Sequence, residues 1–281
     1  MTAGRVLRDQ GRGVCGALLV VGVPMLYTVE VWWYSWQTPS WRLLVVVSVG
    51  LTLVLLVTRR AGFRETDDGD SDDRSAVRLV TDFTELLLQG FLTGLLVLVL
   101  FGLVEPATPP TVVARLGLVL TVPLAFGSAL ANEVLRAADD EQTDDDDDDG
   151  GMPPLGQRLA LYGLGASFLA LPVAPTEEVQ VVASLAGWGR LTGLLVASLA
   201  FTYLVLYELE FRGQRGRRRE TVAEQVGHTG VVYAVSVTVS LALLAAFDLV
   251  EGVSLSVVVQ QTVVLAFPAT VGASGARVVL G

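Results

Sequence analysis

The chain reads as eight apolar runs parted by polar stretches. The runs cover about 14–36, 41–58, 84–104, 111–132, 157–175, 190–209, 230–250 and 254–278. An α-helix needs roughly 17–25 mostly apolar residues to cross a bilayer, so the pattern predicts eight transmembrane helices and an all-α membrane protein. The polar connections alternate in length. The long ones, 59–83, 133–156 and 210–229, are rich in arginine or aspartate, and the short ones fall near 37–40, 105–110, 176–189 and 251–253.

The arginines orient these spans. Sixteen of the 19 lie at the N terminus (Arg5, Arg8, Arg12), in or beside the long connections, or at Arg277. Arg42, Arg115 and Arg190 lie on the opposite side. The positive-inside rule therefore places both termini and the long loops in the cytoplasm, which agrees with an even number of spans. Trp32, Trp33, Trp36, Trp41 and Trp188 fall at the predicted outer boundary, where indole rings favour the headgroup layer. The first run has no small-x-small cleavage site and ends in aromatic residues, so it is not read as a signal peptide.

The two halves of the chain repeat one another. Pro24-x-x-x-Thr28-x-Glu30-Val31 recurs 148 positions later as Pro172-x-x-x-Thr176-x-Glu178-Val179. Arg42 and Arg190 are also 148 apart. Phe101-Gly102-Leu103-Val104-Glu105 returns as Phe247-Asp248-Leu249-Val250-Glu251, and Pro123 with Gly127 returns as Pro268 with Gly272. Four matches in one order predict a tandem duplication. Residues 1–135 form a first four-helix repeat with the acidic cytoplasmic loop 59–83. Residues 136–156 form an acidic linker, and 157–281 a second repeat with the basic loop 210–229. Four is even, so both repeats take the same orientation, with a pseudo-two-fold axis along the membrane normal as in parallel-repeat transporters.

Composition narrows the chemistry. The chain is 52% hydrophobic and only 17% charged, yet its formal net charge is −10. Six acids within 65–73 and nine within 139–149 carry that excess, so it belongs to the loops. Arginine serves as the only basic residue, which with the many aspartates points to a high-salt, halophilic cytosol. The acidic balance argues against nucleic acid as a partner. With one cysteine, Cys15, and one histidine, His228, read as a surface residue before the seventh helix, there is no disulfide, metal site or hydrolase triad to expect. We therefore expect no enzyme, cofactor or metal.

The candidate residues come from the repeat. Proline frees a backbone carbonyl and kinks a helix, so Pro24, Pro123, Pro172 and Pro268 are candidates to line a pathway. Glu30 and Glu178 each have an arginine 12 residues later, Arg42 and Arg190. These pairs are either structural ion pairs pinning each outer hairpin or an acidic vestibule that attracts cations.

Thr28-Val29-Glu30-Val31-Trp32-Trp33 and Ala174-Pro175-Thr176-Glu177-Glu178 resemble an uncharacterised family of prokaryotic polytopic integral membrane proteins. That resemblance implies a multi-pass membrane protein and no established activity. The functional expectation is a transporter or channel for a small solute or cation along the pseudo-dyad, in the cytoplasmic membrane. The alternative is a non-transporting scaffold or assembly partner. The lipid bilayer is a partner under either reading, and a homo-oligomer or a membrane partner fits either.

Overall fold

The computed structural model describes residues 14–18, 22–61, 72–140, 155–208 and 221–280. Arg5, Arg8, Arg12, the aspartate run Asp144–Asp149 and the arginines from Arg212 to Arg219 lie outside the described residues. Among those described, all regular structure is helical. Residues 14–18 are followed by α1 (Val23–Leu26), α2 (Val29–Gln37), α3 (Ser40–Ala61), α4 (Asp72–Phe101) and α5 (Pro110–Asp140). The second half holds α6 (Leu155–Ala170), α7 (Glu177–Leu185), α8 (Trp188–Tyr203), a π-helical turn (Leu204–Glu208), α9 (Val222–Ala246) and α10 (Leu255–Leu280).

Among the described residues, five helical stretches are long and apolar enough to cross a membrane: Phe83–Phe101, Pro110–Ala129, Trp188–Tyr207, Val222–Ala246 and Leu255–Arg277. They correspond to the third, fourth, sixth, seventh and eighth predicted runs. Ser40–Leu56 is a shorter apolar helix.

The first and fifth runs depart from expectation, because neither is one continuous helix. Thr28 takes an extended conformation (φ −111°, ψ 104°) and parts α1 from α2. In the fifth run α6 stops at Ala170, a turn carries residues 171–176, and α7 fills most of the stretch predicted as a loop. The prolines explain the stop. Pro172 and Pro175 donate no backbone N–H and clash with a preceding turn. The restart also has a cause. Val179, Val182, Ala183 and Ala186 recur at helical spacing, and all are buried.

The chain divides into two compact units. The first holds the chain up to Leu98 together with Val104–Ala137; the second holds Val99–Leu103 and everything from Ala138. Within the first unit α5 is the common partner. Its Leu124 meets Gly22, its Val122 meets Gly50 of α3, and its Thr121 and Ala125 backbone lies against Gly90 of α4. Val54, Leu86, Ala125 and Ala129 join α3, α4 and α5 in one buried cluster. Arg115 of α5 donates through Nη2 to the Thr38 carbonyl after α2. Within the second unit α10 plays the same part, packing against α6, α7, α8, α9 and the π turn. Residues 264–274 of α10 are buried without interruption.

Glycine sets the closest helix approach in each unit. A Cβ at Gly272 would lie 2.1 Å from the Gly165 carbonyl oxygen, and one at Gly165 would lie 2.4 Å from that of Gly272. In the first unit a Cβ at Gly127 would lie 2.8 Å from the Ala17 carbonyl oxygen. Lipid supplies no hydrophobic drive between helices, so backbone contact of this kind is what holds them.

Candidate functional site

The two broken helices carry Pro24, Glu30, Pro172 and Glu178, half of the residues singled out by sequence. At the first break, the Thr28 hydroxyl donates to the Pro24 carbonyl at 2.8 Å. At the second, the Thr176 hydroxyl donates to the Val173 carbonyl at 2.7 Å. Each threonine thus folds its side chain back onto the turn before it and opens a nine-residue helix, α2 or α7. Glu30 and Glu178 each occupy the second position of those helices, where the positive end of the helix dipole favours a carboxylate.

The two carboxylates differ in setting. Glu30 is exposed and makes no ion pair with a described residue. Glu178 is 8% exposed and engaged by neighbours. The arginines differ too. The Arg42 guanidinium stands 5.2 Å from the Trp41 ring centroid, a cation–π arrangement. Arg190 is also engaged by neighbours; its Nη1 donates to the Leu185 carbonyl at 3.4 Å, closing the end of α7. Gly102 makes room for it, since a Cβ there would come within 2.9 Å of Arg190 Nη1. Gly102 also has φ +83°, which glycine adopts without steric cost.

The prolines divide in the same way. Pro123 and Pro268 lie inside α5 and α10, which continue through them, half-buried and buried respectively. Pro24 is half-buried within α1, and Pro172 is exposed in the turn before α7. Of these four prolines, Pro24 and Pro172 accompany a break.

Polar contacts between α6, α8, α9 and α10 were not visible in the sequence. Arg277 Nη1 donates to the Tyr162 hydroxyl at 3.2 Å. Tyr203 donates to Gln225 Oε1 at 3.2 Å, and the Tyr207 hydroxyl lies 3.1 Å from His228 Nδ1. His228 is therefore not the surface residue expected; it is half-buried inside α9. That helix starts eight residues before the predicted run. Thr221 and Glu224 cap it reciprocally, with the Thr221 N–H on Glu224 Oε2 at 2.7 Å and the Glu224 N–H on Thr221 Oγ1 at 3.4 Å. The T-x-x-E signal lay at the end of an arginine-rich stretch.

Among the described residues, no group of three or more His, Cys, Asp or Glu side chains could hold a metal ion.

A family model described as "Putative integral membrane protein (DUF2391)" matches residues 9–280. The chain belongs to this family. Membership over nearly the whole length, together with the apolar helices, makes the DUF2391 chain a multi-pass integral membrane protein with the lipid bilayer around it. No curated protein and no solved structure matches it.

Proposed function

We propose that this protein is built from two four-helix membrane repeats, spans the cytoplasmic membrane eight times with both termini inside, and moves a small solute or cation. The observation that carries the reading is the pair of broken helices. A break in a membrane helix frees backbone groups that, away from water, only protein or a water-lined cavity can satisfy. Paired interruptions at matching places in two halves point to a transport site.

The helix boundaries support the duplication. α2 and α7 begin and end 148 residues apart, and α3 and α8 begin 148 apart. Left-handed Gly102 and Asp248 are 146 apart, and α5 and α10 begin 145 apart. The Gly127–Ala17 crossing in the first unit has its counterpart in the Gly272–Gly165 crossing of the second. On this reading Glu30 and Glu178 draw cations to the breaks, and the protein has no enzymatic centre.

The test is tracer flux into proteoliposomes. A working transporter moves a cation or small solute faster than empty vesicles do, and Glu178→Gln lowers that rate at least tenfold while Glu30→Gln has the smaller effect. Rates equal to empty vesicles for every solute tried would end the reading.

A second reading, a non-transporting scaffold, is favoured by how the buried hydroxyls are used. Ser198, Ser236, Ser240, Thr262 and Thr270 each donate to the carbonyl four residues back in their own helix. That is the ordinary structural use of such groups. A scaffold would co-purify with a stable membrane partner or a second copy and would show no flux.

A further inference from the structure

The C-terminal end of α8 is built differently from the rest of the second unit. After Tyr203 the helix widens into the π turn Leu204–Glu208. Such turns are rare and occur frequently at functional sites. Tyr203 and Tyr207 are four residues apart on one face, with ring centroids 5.6 Å from each other. Their hydroxyls reach Gln225 and His228, three residues apart on the facing helix α9. The last residue of α8 and the π turn that follows it are thereby each held to α9.

Next to this fastening lies a polar seam. Thr202 and Ser274 are fully buried, and the Ser274 hydroxyl lies 3.2 Å from Thr202 Oγ1 across the α8–α10 contact. Thr202 donates to the Ser198 carbonyl at 3.0 Å, and Ser274 shares its hydrogen with the Thr270 carbonyl at 2.8 Å. Their donors are committed, so the oxygens keep lone pairs that water can use. The matching positions of the first unit hold Val54 and Ala129, both buried and without a polar side-chain atom. There α3 also runs as an unbroken α-helix to Ala61, with no π turn at the matching place.

We propose that Leu204–Glu208 is a hinged latch, closed by Tyr203–Gln225 and Tyr207–His228, whose release admits water to the Thr202–Ser274 seam. Opening breaks two hydrogen bonds that water can replace, and it wets hydroxyls rather than hydrocarbon. The same motion in the first unit would wet only valine and alanine, which disfavours it. The comparison with the first unit rests on the duplicated-unit reading; the latch contacts are the second unit's own.

The full chain, with Cys15→Ser and Thr202→Cys, is labelled in detergent with a small water-soluble methanethiosulfonate. Adding Tyr203→Phe and Tyr207→Phe together should speed labelling about tenfold, as expected for two lost hydrogen bonds. Val54→Cys in the same background should label at an unchanged rate. An unchanged rate at Thr202→Cys, or equal acceleration at Val54→Cys, overturns the latch. If the double variant does not fold, Tyr207→Phe alone should give about a threefold effect. In the unmodified protein, amides of 204–208 should exchange hydrogen faster than those of 56–60, and equal exchange overturns the proposal. A labelling response without any vesicle flux upholds the latch while removing the transport reading.

Discussion

Gly272→Ala is the sharpest test of how the second unit is held together. The new Cβ would stand 2.1 Å from the Gly165 carbonyl oxygen, 2.9 Å from its carbonyl carbon and 3.2 Å from Leu169 Cβ. Two of those atoms are backbone, so no side-chain rotation relieves the overlap. An ordinary C···O approach is about 3.3–3.6 Å, and α6 must part from α10 by about 1 Å to reach it. A gap of that size forfeits about a quarter to a half of each contact's dispersion energy along the seam. Overpacking costs about 1–3 kcal/mol, and a rigid backbone obstruction belongs at the upper end. Replacing glycine by alanine in a helix returns about 1 kcal/mol. The net loss is about 2 kcal/mol, or about 4–8 °C in Tm. The assay is thermal unfolding of purified protein in one detergent. Gly163→Ala is the control, since it lies in α6 two residues from Gly165 and a Cβ there meets nothing within 4 Å. It should melt at or above the parent protein. If Gly272→Ala melts no lower than Gly163→Ala, the glycine crossing does not hold the unit.

Other substitutions probe the remaining features. Gly127→Ala meets the Ala17 carbonyl at 2.8 Å and should lower Tm by less than Gly272→Ala does. Asp248 has φ +63°, a left-handed backbone that glycine adopts without steric cost; Asp248→Gly should raise stability by up to about 1 kcal/mol, read as Tm. Thr176→Val removes the hydroxyl held by the Val173 carbonyl and should cost about 1 kcal/mol in the same assay. Gly102→Ala combines a left-handed backbone with a Cβ 2.7 Å from the Leu185 carbonyl, so its Tm should fall further than that of Gly127→Ala.

Much of this was legible because it rests on residues with few conformational alternatives. Prolines and T-x-E at helix starts recur at fixed offsets, and leucine-rich sequence does not hide them. Five of the apolar runs correspond to helices for the same reason: their apolar character is continuous over the length needed to span. The breaks were harder. Nine residues of α7 span too few turns for periodicity to stand out, and Glu177 and Glu178 beside Pro175 resemble a surface loop. The dipole at a helix start accounts for those acids, but a helix start must first be suspected. His228 was misplaced because its partner, Tyr207, lies across a polar stretch, and residue spacing says nothing about a contact formed by tertiary packing. A π turn has no sequence signature comparable to proline or a capping box.

The central claim is that two four-helix repeats cross the membrane in the same sense. Single cysteines placed one at a time along a Cys15→Ser chain, and tested with a membrane-impermeant thiol reagent on intact cells, measure this most directly. The account predicts labelling from outside at 106–108 and 251–253 and at Trp188, with protection at 66–70, 143–148 and 213–218 until the membrane is opened. Residues 66–70 and 106–108 labelling from the same side, or 66–70 and 213–218 from opposite sides, would contradict it.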